Sequence, residues 1–209
     1  TLVVMKGNGT VTDTLENLNG YGHPEKILKI IGNIVNNGII RNYFSYGLAL
    51  NVTGNITNNK TWIHNSKALS GSANQILTLG GGSAFEAHFS VTDSVGYVVA
   101  GSNLVFTGLF NLNKNVFDAK SYAITLRGEG ANIYNGIVIN TGDLIGRMVN
   151  DYPVVDNITY DGNPNLKGLL RFNSGTFRGN VTITDTIQNS SGYAHPEKIV
   201  KVIGSLTNN

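Results

Sequence analysis

The sequence predicts an all-β fold, a parallel β-helix (β-solenoid) with rungs of about 22–27 residues. Three observations carry that expectation. Thr10–Asn37 (TVTDTLENLNGYGHPEKILKIIGNIVNN) returns as Thr182–Asn209 (TITDTIQNSSGYAHPEKIVKVIGSLTNN), ungapped at an offset of 172, with 17 of 28 positions identical. Inside that long period sits a short one: Gly32-Asn33-Ile34-Val35-Asn36-Asn37 recurs 22 residues later as Gly54-Asn55-Ile56-Thr57-Asn58-Asn59. Short apolar runs bounded by Gly, Asn, Asp and Ser fill the rest, among them Leu48–Val52, Ile76–Leu79, Leu104–Phe106 and Val181–Ile187. Tandem β-sandwich modules are the alternative, but a 22-residue echo is too short and too regular for sandwich hairpins.

Residues 1–181 then form one solenoid unit of period 172, and 182–209 begin the next, continuous with the same solenoid. A chain that starts without Met and stops in mid-pattern at Asn209 is expected to continue in both directions. Dividing the long period by the short one gives about seven rungs per unit, rising roughly 34 Å at the spacing of hydrogen-bonded strands.

Each element follows from local chemistry. Thr10–Leu15 alternates Thr/Val/Thr/Asp/Thr/Leu, which places one set of side chains inside and the other outside. Pro24–Ile31 also fits a short helix with Pro at its first position, yet Gly32 and the β-rich continuation favour a loop running into a strand. The inward positions expected are Ile30, Ile34, Ile56, Val105, Leu109, Ile183 and Val202. Gly and Asn mark the corners, since both tolerate left-handed dihedrals. The pairs Asn36-Asn37 and Asn58-Asn59 are candidates for amide ladders between rungs.

Composition excludes several classes. Asn (29), Gly (26) and Thr (18) make up a third of the chain, and charged residues only 13%. A hydrophobic content of 41% supplies a continuous core and argues against disorder. A net charge of +2 leaves no nucleic-acid footprint. No apolar run is long enough to span a membrane as a helix. With no cysteine there are neither disulfides nor thiolate metal sites.

Ile31–Asn37 with Val52–Asn59, and the run LLRFNSGTFRGNVTITDTI over Leu169–Ile187, resemble the repeats of large bacterial surface proteins built on a right-handed parallel β-helix. In that group, phrases of the type G-N-[IV]-x-N-N recur along exported adhesins and filament-forming proteins. The resemblance covers most of the chain and implies an extracellular or cell-surface location with a structural or adhesive role. It identifies no ligand.

The pattern departs from the enzymes of that fold. Polysaccharide lyases and glycosidases need paired carboxylates or clustered acidic calcium ligands. The 13 acids here are scattered, and the densest patch (Asp143, Asp151, Asp156, Asp161) lacks calcium-loop spacing. No catalytic residue, metal or cofactor is expected. The candidate binding residues are Tyr21, His23, Glu25 and Lys26, repeated as Tyr193, His195, Glu197 and Lys198. This loop would offer its side chains to a ligand once per unit, fix the backbone through Pro, or form the seam between units. Trp62, the only tryptophan, would stack on a sugar if exposed and join the core if buried. The expected function is a repeat unit of a long stalk or fibre without catalysis. The alternatives are a filament assembled head to tail from separate chains, and a carbohydrate-binding or carbohydrate-cleaving β-helix. Expected partners are neighbouring repeat units or identical chains stacked end to end, and host-cell or matrix glycans.

Overall fold

A computed structural model describes residues 2–17, 26–42, 47–63, 66–86, 88–92, 96–128, 131–147, 154–189 and 199–209. Among them every element is a strand, and every strand pairing is parallel. The chain winds as a β-solenoid with three faces. The first face opens with Leu2–Lys6, Lys26–Ile31, Leu48–Val52 and Ser66–Leu69, paired in that order. The second opens with Gly9–Val11, Ile34–Asn36, Ile56–Asn58 and Gln75–Leu79, and ten strands follow one another along it. The third opens with Thr14–Glu16, Ile39–Arg41 and Thr61–Ile63, and is carried on by Leu104–Phe106 and Ile124–Arg127. Lys26–Ile31 is a strand, as Gly32 and its β-rich continuation led us to expect.

Burial alternates along each strand, with Leu48, Leu50 and Val52 inside while Ala49 and Asn51 face out. Ile30, Ile34 and Ile56 are core, and Ile183 and Val202 pack partly buried against it. Val105 and Leu109 are corrections. Leu104 and Phe106 occupy the inward positions of their strand, and Phe110 that of the next, so Val105 and Leu109 point outward. Large rings fill the middle of the tube. Phe85, Phe89, Phe106 and Phe110 stack with centroids 5.0–5.7 Å apart, the offset and tilted geometries that aromatic quadrupoles favour.

The expected amide ladders are present. Asn36 Nδ2 donates to Asn58 Oδ1 at 2.7 Å inside the tube. Asn59 Nδ2 donates to Asn37 Oδ1 at 2.7 Å on its surface. A third ladder holds the corner between the first two faces, where Asn8 Oδ1 accepts from the backbone of Asn33, and Asn33 Oδ1 from that of Asn55. Beside it Gly32, at φ +150°, lies so close to the turn above that an added Cβ would meet the Gly7 carbonyl oxygen at 2.4 Å.

Two expectations of scale change. Steps between paired residues run from 17 (Ala49 to Ser66) to 25 (Leu2 to Ile27), so some rungs are shorter than the expected range. Corners absorb this variation without disturbing the strands. A unit also makes eight turns rather than about seven, and one face more. Leu2–Lys6 heads the first face, yet its counterpart 172 residues on, Ser174–Arg178, lies on the second, between 158–161 and Ile199–Ile203. The counterpart of Gly9–Val11, Val181–Ile183, lies on the third face beside 165–166 and Leu206–Asn208. The counterpart of Thr14–Glu16 falls within Thr186–Asn189, on the first face beside 169–172. All three strands are displaced in the same sense by one face.

Candidate functional site

The site residues expected from sequence fare differently. Tyr21, His23, Glu25, Tyr193, His195, Glu197 and Lys198 lie outside the described residues, as does Asp151. Lys26 opens its strand half-buried. Its N–H and the Nδ2 of buried Asn17 both donate to the Gly47 carbonyl, at 3.0 and 3.1 Å. Both ends of the segment 18–25 are thus tied to one acceptor on the next rung. Trp62 is fully buried, edge-on to Phe85 at 6.3 Å, and heads the aromatic stack. The reading in which it stacks on a sugar is set aside. An aromatic at an inward position of a three-residue strand has nowhere to go but the core.

The carboxylates are engaged in structure. Asp143 takes a 2.7 Å ion pair from Lys167, and Asp156 accepts from Ser174 Oγ at 2.7 Å. Burial pushes the Asp118 carboxyl up, but hydrogen bonds from Lys120 and Asn140 hold it below its ordinary value. No group of three His, Cys, Asp or Glu side chains converges among the described residues.

Two features escaped the sequence reading. Lys67 lies within the tube, 2% exposed, and its Nζ donates to the Glu86 carbonyl. Burial brings its ammonium down from 10.5 to about 7, against an opposing pull from Glu86. The signal was available: in Ser66-Lys67-Ala68-Leu69 the lysine is in phase with Leu69. The second is a shallow groove of 720 Å³ along the corner before the second face. Asn113, Asn135 and Asn157 rise along it at intervals of 22, all at left-handed φ (47°, 58°, 43°). Asn157 Nδ2 donates to Asn135 Oδ1 at 2.5 Å. Ile137, Thr159 and Thr176 are in register along the floor, with Lys114 and Lys201 at either end.

The largest exposed apolar surfaces are the two ends. Leu2, Val3 and Val4 are 58, 55 and 46% exposed on the first rung, and Ile199, Ile203 and Leu206 are 68, 49 and 56% exposed on the last. The strands that carry them pair on one side only, which leaves a row of peptide N–H and C=O groups open. Comparison with protein-family models, curated proteins and solved structures finds no match to this chain.

Proposed function

We propose that this chain is a repeat segment of an extracellular stalk or fibre, a mechanical module of a bacterial surface adhesin or filament without catalysis. The observation that supports this reading is the pair of open ends. Both expose aliphatic side chains and unpaired strand edges that the next rung of the same solenoid would cover. Each added unit then extends one hydrogen-bond lattice and one core, so stability grows with unit number. Thermal unfolding of a one-unit and a three-unit chain tests this: the longer is expected to melt several degrees higher, and identical midpoints defeat the proposal. Stacking of separate chains produces the same lattice, but with a midpoint that rises with concentration.

The groove supports a second reading, a glycan-binding face. Its asparagine amides recur at the rung spacing of about 4.8 Å, close to the length of one hexose in an extended glycan, and two lysines flank them. A glycan array is expected to show binding that Asn135→Ala lowers at least tenfold. An array without hits, or an unaffected variant, removes this reading.

A further inference from the structure

The open edge of the first rung has a template inside the same chain. Its three strands, Leu2–Lys6, Gly9–Val11 and Thr14–Glu16, have counterparts in Ser174–Arg178, Val181–Ile183 and 186–188. Those counterparts are covered by 158–161, 165–166 and 169–172 of the strand Ile158–Phe172. We infer that the first-rung edge is the docking site for a second copy of 158–172, standing at the end of a preceding 172-residue unit and turned by one face. The inference rests on the stalk reading above and adds to it an occupant and a register.

Transferring the internal pairing puts Asp161 opposite Lys6, where Asp161 now faces Arg178, so the charge complement is kept. Arg171 falls opposite Glu16, where it now faces Gln188. Glu16 already holds Arg41 at 2.8 Å from below and would sit between two guanidinium groups. Inside the tube Tyr160 falls on Met5, in place of Phe177, on which it stacks at 5.2 Å. Leu166 meets Val11 and Leu170 meets Leu15, apolar on apolar as in the template.

The backbone agrees. A Cβ on Gly179 would lie 2.0 Å from the Gly162 carbonyl oxygen. One on its counterpart Gly7, at a similar φ of +112°, meets nothing within 4 Å. Gly7 thus has the conformation of a close approach with the approaching strand missing. Asn180 N–H donates to Asn163 Oδ1 at 2.9 Å, and its counterpart is again asparagine, Asn8. A unit stacked straight, first face on first face, would instead lay 158–161 over Gly9–Val11 and lose both charge pairings.

The test keeps the full chain and joins a copy of residues 136–172 ahead of Thr1. Hydrogen exchange of the Leu2–Lys6 amides is expected to slow at least a hundredfold. A cysteine at the added Asp161 position should cross-link to Lys6→Cys and not to Thr10→Cys. The internal pair Asp161→Cys/Arg178→Cys in the parent chain calibrates the chemistry. A link to Thr10→Cys with protected amides overturns this register and leaves the stalk reading standing. Neither protection nor cross-link defeats both. Asp161→Lys in the added segment should weaken protection at least tenfold, and Lys6→Asp should restore it; failure of that exchange also overturns the register.

Discussion

Lys67→Met is expected to stabilise the protein at pH 6–7 by about 2–3 kcal/mol, a rise of roughly 5–10 °C in midpoint. The ammonium sits inside an apolar tube between the rungs of Leu50 and Phe89. Its folded value of about 7 lies below the 10.5 of the exposed chain, so the unfolded state binds the extra proton between those limits. Stability therefore rises with pH from about 7 to 10.5 and is lost as pH falls, by about 5 kcal/mol over the window. Methionine has the length of lysine without the charge. It leaves the Glu86 carbonyl short of a donor, which sets the gain below the full desolvation penalty. Urea unfolding at pH 6, 8 and 10 measures both effects. A less stable variant at pH 6, or an unchanged pH slope, would show that the ammonium is better accommodated than its burial implies.

Asn58→Leu is expected to cost about 2–4 kcal/mol, although leucine has nearly the same volume. Asn58 is fully buried, accepts from Asn36 Nδ2 and donates to the Ala84 carbonyl at 2.9 Å. The substitution orphans a partner on the rung above and another on the rung below. Asn36 keeps its bond to the Thr61 carbonyl, which bounds the loss. The outer ladder is the control. Asn59→Ala removes a bond of the same 2.7 Å length at the surface, and water replaces it for about 0.5 kcal/mol or less. Equal costs for the two variants would mean that burial of the inner ladder contributes nothing.

How far the sequence could be read depended on what each feature leaves in the pattern of side chains. The solenoid was legible because stacking the same strand on itself imposes a repeat. The ladders at Asn36 and Asn58 were legible because an amide bridging two rungs needs an amide on each. Phase was harder. In Leu104-Val105-Phe106 and Leu109-Phe110 every side chain is apolar, so alternation carries no information, and the larger ring took the interior. The number of turns was hidden by the corners, where 17 and 25 residues close the same circuit. The displacement by one face has no signature at all in similarity between copies, because aligned residues keep their neighbours in sequence but not their side of the tube. The groove was within reach, since its three asparagines share the 22-residue interval that revealed the rungs.

That displacement also governs what a chain of such units shows to its surroundings. Segment 18–25, with its His-Pro-Glu-Lys motif, leads from the third face to the first, whereas 190–198 leads from the first to the second. Consecutive copies of the motif therefore open toward different compass points, like treads on a spiral stair. Only every third copy returns to the same bearing, about 120 Å further along. A flat surface laid against one side would meet one copy in three, and small soluble partners would find copies from every direction.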